Sequence, residues 1–437
     1  MEKMQKCTDD KQPVKKKIVI KRKVKGVVLP KTNNTPPMEK SKPKEQYSPI
    51  NDNKGDNGNG NGKDTDFVLQ TMLTCLGNKR LLVDNIFDIV KDVGTRLNKD
   101  KLAIMDGFSG SAVVARKLSN IASTIYTNDL ETYAYIIAKS SLETPCKKDR
   151  KLVEMHINNM NKLAFEKELP ADGFISRLYA PQDTENIQPG ERCFYTQENA
   201  RIIHAMRNYI DDPNAKVPHH LRVHLLAPLL AKASIHTNTS GVFKGFHSVQ
   251  GVGAWGGAGA KCLPRIKGII QLDMPVWNVE YEGQFQTKIM QGDINKVIQD
   301  INDHELDILY LDPPYNQHPY GSNYFMLNLI AENKEPDEST LSRVSGIPNT
   351  WNRSNYNYKK SAIDDMSNLL ENGMKKSSYI LLSYNDEGII TDADWTEILS
   401  HYTIEKIEIK YNAYRGSRNL AGRKDKVMER LYLISEK

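Results

Sequence analysis

"ILYLDPPYNQHPYGSNYFML", residues 308–327, ends a strongly apolar run in an acidic residue, adds two prolines and then a tyrosine. An apolar run of this kind reads as a buried strand. Neither proline has an N–H and each fixes φ, so neither a strand ladder nor a helix continues past Asp312. The chain therefore leaves a sheet abruptly and holds Asp312, Pro313, Pro314 and Tyr315 in a stiff, non-repetitive turn. Turns at the carboxyl ends of strands are where open α/β sheets carry their chemistry.

Outward from this turn, strands and helices alternate. "KLAIMDGFSGSAVVARKL" (101–118) gives strand, glycine-containing turn and helix, and "TIYTNDLETYAYIIAKSSL" (124–142) repeats the plan. Before them, helical periodicity runs through Leu82, Ile86, Ile89 and Val93. Sheet signals return at 285–298, 306–315, 377–386, 402–414 and 428–437. Such alternation argues for βαβ units and a parallel sheet, an α/β fold. The pattern weakens over 145–285. There two stretches read as helices, "HHLRVHLLAPLLAKASIHT" (219–237) reads as a buried helix interrupted by its proline, and the glycine-rich 238–265 does not read as a helix.

With 437 residues the chain can bury a sizeable core as one large or two moderate domains. No apolar run approaches the roughly 18–20 residues that span a bilayer. The lysine-rich start lacks the apolar stretch and small-residue cleavage site of a signal peptide. The five cysteines are scattered, without C-x-x-C or zinc-like spacing, which points to a reducing, intracellular setting, cytoplasmic or nuclear. The net charge of +6 is unevenly spread: residues 1–45 hold fourteen Lys/Arg against five Asp/Glu, a balance of +9, so the remainder carries −3. Residues 1–65 read as a disordered basic tail followed by a Gly/Asn linker, a solvated segment or an electrostatic arm for nucleic acid.

The acidic residues at strand ends carry the chemical reading. Asp106 precedes a Gly/Ser turn that lets backbone approach a ligand, although neither G-x-G-x-x-G nor a P-loop lysine follows. Asn128-Asp129 ends the second strand, where such sheets bind ribose hydroxyls or simply cap the next helix. Asp293, in "QGDI", is either a turn residue or a third acceptor. Asp312-Pro313-Pro314-Tyr315 is far more specific. The exocyclic amino group of a base is a poor nucleophile, because its lone pair is delocalised into the ring. A site that methylates it must accept hydrogen bonds from the N–H groups, so that the lone pair localises. Asp312 and the Pro313 carbonyl supply two acceptors aimed by the rigid turn, and Tyr315 offers a face for a base taken out of its helix.

With these motifs in place, the chain resembles the amino-methylating DNA methyltransferases, and within them the adenine-N6 enzymes of restriction–modification. "LGNKRLL" (76–82), "DGFSGSAVVARKL" (106–118), "NDLETYAYII" (128–137), "GDI" (292–294) and "DPPYNQHPYGSNYFMLNLIA" (312–331) occur in family order. "HTNTSGVFKGFH" (236–247), "YILLSYNDEGII" (379–390) and "YNAYRGSRNL" (411–420) add to the likeness, which covers roughly residues 70–437. It implies a Rossmann-like S-adenosylmethionine-dependent sheet with an inserted target-recognition subdomain: a cofactor half over 66–144, the insertion over 145–285 and a catalytic half over 286–437. It also implies a cofactor pocket of Gly77, Lys79, Asp106, Phe108 and Gly110, with Asp129 on the ribose and Asp293 on the adenine. Asp312 and Tyr315 would hold the target amine of double-stranded DNA. Lys244, Tyr324, Arg415 and Arg418 would contact nucleic acid, and a cognate restriction endonuclease is an implied partner.

Where the family often has a second glycine, this chain has Ala112, which restricts φ and touches the expectation of cofactor binding. Within the insertion, Arg222, Phe246, His247, Trp255 and Arg265 suit DNA contacts, yet each is also an ordinary packing or surface residue. Other amine substrates (cytosine N4, RNA adenine, a glutamine amide) and an inactive DNA-binding partner subunit remain as rival readings. Cytosine carbon-5 methylation would need a thiolate nucleophile, and the only Pro-Cys pair, at 145–146, lacks that context. Direct methyl transfer needs no metal.

Overall fold

The computed structural model describes residues 67–68, 73, 77–166, 168–256, 262–279, 282–412 and 426–437. The chain divides into two units, Met1–Gly58 and Asn59–Lys437, and all described residues belong to the second. The expectations for the 1–65 tail and for Arg415 and Arg418 therefore lie outside the described residues.

Helix α1 (Val83–Arg96) leads into β1 (Leu102–Asp106), α2 (Val113–Leu118), β2 (Ala122–Asp129) and α3 (Thr132–Leu142). The middle block holds α4 (Lys147–Leu163), α5 (Phe174–Tyr179), α6 (Gln197–Asp211), α7 (Arg222–Ile235) and α8 (Leu263–Lys267). The sheet resumes with β3 (Gln286–Gln291), α9 (Ile294–Val297) and β4 (Leu306–Leu311), then α10 (Tyr320–Asn323) and α11 (Phe325–Glu332). Helix α12 (Lys359–Lys376), β5 (Ser377–Asn385), α13 (Asp392–Ile398), β6 (Thr403–Asn412) and β7 (Lys426–Ser435) complete the order.

Seven strands form one sheet in the order β3-β2-β1-β4-β5-β7-β6, parallel except for β7, which runs antiparallel to both neighbours. The order reverses between β1 and β4, so the carboxyl ends of those strands flank the crevice where such sheets bind ligands. Strand β4 is buried along its whole length, and its side chains divide between the two faces. Leu309 and Leu311 pack with Met366, Leu369 and Leu370 of α12, whereas Ile308 and Tyr310 pack with Ile86, Val90 and Val93 of α1. Helices thus cover both faces, which is why the strand reads as a continuous apolar run instead of an alternating one. In α1 the buried stripe is Val83, Ile86, Val90 and Val93, and the expected Ile89 is partly buried against the same core.

A third core belongs to the middle block: Phe174, Phe194, Ile203 and Leu229 pack with Tyr133 and Ile137 of α3 and Phe325 and Leu329 of α11. The block's apolar core is therefore continuous with helices from both flanking halves. Helix α7 runs through Pro228 without a break, correcting the expected interruption. Its buried neighbours on every side hold the helical path while one backbone hydrogen bond is forgone.

Candidate functional site

Four strands of the sheet deliver acids to one edge. Asp106 ends β1, Asp129 ends β2, Asp293 follows β3 by two residues and Asp312 follows β4 directly. All four line one cavity, and Gly77, Lys79, Phe108 and Gly110 line it too. The structure thus brings together every residue expected in the cofactor pocket.

The turns around the cavity are tied by backbone and carboxylate hydrogen bonds. Asp129 Oδ2 accepts from the N–H of Gly110 at 2.8 Å and Oδ1 from that of Glu131 at 3.0 Å. The Asn128 amide reaches the carbonyls of Gly107 and Gly292 at 3.2 and 3.1 Å, joining the loops after β1 and β3. Asp293 caps α9 by accepting from Asn295 N–H at 3.0 Å. Capping and a ligand role remain compatible, because a carboxylate offers about four lone-pair sites.

Asp106 differs from its neighbours. It is buried and neither carboxylate oxygen has a well-formed hydrogen bond; burial, reinforced by Asp312 and Asp129, outweighs the lowering effect of the Ala115 and Phe108 backbone N–H groups and pushes its carboxyl up to about 8. Ser109 Oγ and Asn128 Oδ1, also buried beside the cavity, lack partners as well. Gly110 has φ +50°, and a Cβ placed on it would meet nothing within 4 Å, so space lies open against this backbone. Ala112 itself adopts the left-handed conformation, at φ +58°, and is buried away from the cavity lining.

Around Asp312 the arrangement is ionic. Lys79 Nζ lies 2.8 Å from Asp312 Oδ1 and 3.2 Å from Glu429 Oε1. Lys79 and Glu429 are almost wholly buried, while Asp312 keeps 17% of its side-chain surface. Burial raises the Asp312 carboxyl, Lys79 opposes that, Glu429 adds to it, and the net position is about 6. For Lys79 burial acts downward, but the two carboxylates outweigh it and hold the ammonium charged. Pro314 lines the cavity and Pro313 is buried. Tyr315 is half-buried, its ring centroid 5.9 Å from Lys79 Nζ, and its carbonyl accepts from Ile389 N–H at 3.0 Å.

Two expectations for nucleic-acid contacts fall on described residues. Lys244 is half-buried, its Nζ 3.4 Å from His318 Nδ1 and its carbonyl accepting from Ser345 Oγ at 2.5 Å, so it links the middle block to the loop after Asp312. Tyr324 is corrected: it has no exposed surface, and its ring lies 5.6 Å from that of Tyr133 and 6.0 Å from that of Tyr320. It serves the core beneath the Asp312–Tyr315 turn. Other insertion candidates are engaged internally. Phe246 packs edge-on to Phe194, Trp255 Nε1 donates to the Thr184 carbonyl at 2.8 Å, and Arg265 donates to the Thr237 carbonyl at 2.8 Å.

Sequence reading missed three features of the site. Glu131, buried against Asn328 and Asn352, lines the cavity with its carboxyl raised by burial to about 7. Tyr356 sets its ring edge-on to Phe108 at 5.3 Å, from a segment that gave no periodic signal. Glu429 did leave one: Leu431 and Leu433 share its face of β7, so an acid there is a charge in a buried row.

Comparison with known proteins agrees with this geometry. The family described as D12 class N6 adenine-specific DNA methyltransferase matches residues 76–398. Modification methylase StsI of Streptococcus sanguinis is 27% identical over 83% of this chain, which spans 52% of that enzyme's length. Type II methyltransferase M.NlaIII of Neisseria lactamica is 26% identical over 78% of this chain and 92% of its own. Type II methyltransferase M.CviAII of Paramecium bursaria Chlorella virus 1 is 26% identical over 75% and 87% respectively. The family takes its methyl group from S-adenosylmethionine. A seven-stranded sheet with acids at four strand ends, an Asp-Pro-Pro-Tyr turn at the reversal point and a family match over most of its length together make this chain a member of the D12 class of N6 adenine-specific DNA methyltransferases.

Proposed function

We propose that this chain transfers a methyl group to N6 of adenine at a specific site in double-stranded DNA, with the target base flipped out of the helix. The observation that carries the reading is Asp312. A carboxylate fixed by Lys79 on one oxygen stands at the sheet's reversal point and lines a cavity that three more strand-end acids, Asp106, Asp129 and Asp293, also line.

S-adenosylmethionine, when bound, supplies an electrophilic methyl group on a positively charged sulfur. The residues present suit it. Asp106, whose two oxygens have no well-formed hydrogen bond, would accept hydrogen bonds from the cofactor, a role that offsets the cost of burying an unsatisfied carboxylate. Asp129 has lone pairs left for ribose hydroxyls, and Asp293 with the Phe108–Tyr356 pair would meet the adenine. Gly110 leaves the backbone bare where a ligand approaches, Gly77 lets the Tyr320 and Tyr315 hydroxyls come close to the chain, and Lys79 adds its charge to the same cavity.

On the DNA side, Asp312 Oδ2 and the Pro313 carbonyl would accept the two N–H groups of the target amine, drawing its lone pair out of the ring. Pro314 stiffens the turn and Tyr315 would stack on the flipped base. As the nitrogen commits its lone pair it becomes positive and its protons more acidic. Asp312 would take one and release it to solvent. Fixing nucleophile and electrophile in line supplies much of the acceleration. The block 145–285 would read the target sequence, with Lys244 at its junction to the catalytic turn, and Arg415 and Arg418 would meet the DNA backbone. A cognate restriction endonuclease completes this reading.

Nucleoside mass spectrometry on unmethylated genomic DNA, incubated with the protein and S-adenosylmethionine, tests it. N6-methyldeoxyadenosine that vanishes with Asp312→Ala is expected. Methylcytosine, or no methylated base from the wild-type protein, would overturn the assignment.

A further inference from the structure

Glu429 stands in a row of β7 whose neighbours Leu431 and Leu433 are buried in the core. It has no exposed surface, accepts from Ser383 Oγ at 2.5 Å and sits 3.2 Å from Lys79 Nζ. A buried carboxylate is costly unless its charge is used, and an apolar residue would complete this row at lower cost. Lys79 already has one carboxylate, Asp312, at 2.8 Å. A second one on the same ammonium gives the triad a net charge of −1 at neutral pH. That charge lies beside the carboxylate that meets the target amine.

We propose that Glu429 is a positioning residue for methyl transfer, which holds the Lys79 ammonium on Asp312 Oδ1 and keeps the triad anionic against the positive charge that grows on the target nitrogen. The inference rests on the proposed amine methylation. A lone Lys79–Asp312 pair would be neutral, and the ammonium would compete directly with the target N–H groups for Asp312. With Glu429 sharing Lys79, Asp312 keeps its strength as an acceptor and Oδ2 stays available. Ser383 fixes Glu429 in turn, so the geometry exists before substrate arrives, as electrostatic stabilisation of a transition state requires. Among the described residues, the ionisable groups around Asp312 are Lys79 from the segment before α1, Asp106 from β1, Tyr310 and Tyr315 from its own strand and turn, Glu387 near Tyr315, and Glu429 from β7. Of these, Glu429 raises the Asp312 carboxyl by direct charge repulsion, whereas Lys79 lowers it.

The test is single-turnover kinetics on DNA carrying the target site, for wild type, Glu429→Gln, Glu429→Asp, Lys79→Met and the Glu429→Gln/Lys79→Met double variant. Melting temperature and calorimetric affinity for S-adenosylmethionine are measured on each. The expected result is a methylation rate about 10- to 100-fold lower in Glu429→Gln. Cofactor affinity should stay within about twofold. The acidic limb of the rate profile should move to lower pH, because one anion that raises Asp312 is gone. Glu429→Asp, which keeps the charge, should restore the limb and part of the rate. The double variant should be no slower than Lys79→Met alone. A Glu429→Gln protein with wild-type rate and an unmoved limb, or losses that add in the double variant, would overturn the role. If Glu429→Gln does not fold, Glu429→Asp decides: a rate as low as that of Lys79→Met would overturn it too. Absence of N6-methyladenine from the wild-type protein is a separate failure, that of the methylation reading itself.

Discussion

At Asp312 three effects compete: burial lifts the carboxyl, Lys79 lowers it, and Glu429 lifts it again, with the balance near 6. The anion is the form that accepts the amine's N–H, so activity is expected to rise with pH through about 6 and level off above it. A pH profile of kcat/KM with no acidic limb in that region would contradict this assignment. Asp312→Asn, nearly the same shape, should cut kcat by at least about 100-fold with cofactor affinity unchanged. Asp106 gives a prediction of opposite character. Its folded carboxyl lies near 8 against an ordinary 3.8, so between those values the folded state binds a proton that the unfolded state has released. Stability without cofactor should therefore fall as pH rises from about 4 to about 8 on account of this group. Asp106→Asn removes the charge, so it should raise the melting temperature at pH 8 while weakening S-adenosylmethionine binding, both readable by calorimetry with and without the cofactor. A variant less stable than wild type at pH 8 would show that Asp106 has well-formed hydrogen bonds in the folded protein after all.

The β1–α2 turn shows how an element is built for a ligand. Gly110 and Ala112 both have positive φ, but only Gly110 lines the cavity. Gly110→Ala would put a methyl group into open space at a strained backbone, and should weaken S-adenosylmethionine binding at least about tenfold, roughly 1.4 kcal/mol. Ala112→Gly should leave that affinity within about twofold. Its relief of left-handed strain, about 1–2 kcal/mol, is offset by the lost buried methyl group and the greater freedom of glycine when unfolded. Stability should then change by no more than about 1 kcal/mol. Ala112 does carry a left-handed φ, but it lies away from the cavity lining, which separates its effect from that of Gly110. Isothermal titration of both variants checks the pair, and equal losses would mean that the turn acts as one rigid unit.

The middle block 145–285 reads as an insertion, yet its core closes on α3 and α11, which lie outside those bounds. A fragment of 145–285 alone would expose the apolar faces that Tyr133, Ile137, Phe325 and Leu329 cover, so it is expected to lack a cooperative thermal transition. Residues 66–437 should unfold in a single one. A folded, monomeric 145–285 fragment by circular dichroism and ultracentrifugation would refute this. The same continuity joins the middle block to the Asp312–Tyr315 turn, because Tyr324 lies in that shared core only nine residues after Tyr315.

Much of this protein could be read along the chain. The strand–turn–helix units, the four acids at strand ends and the Asp-Pro-Pro-Tyr turn are local matters, set by apolar periodicity, by glycine's φ and by proline's missing donor, so neighbouring residues suffice to reveal them. Tyr324, Glu429 and the extent of the middle block could not be read that way. Tyr324 looks like a continuation of the catalytic motif, and only packing against Tyr133, nearly two hundred residues earlier, makes it a core residue. Glu429 and Lys79 lie 350 positions apart, and their ion pair exists because β7 inserts antiparallel beside β5 and carries an acid to the edge where β4 ends. Burial and charge pairing depend on which distant segments meet, and that is settled when the sheet closes, not by the residues on either side.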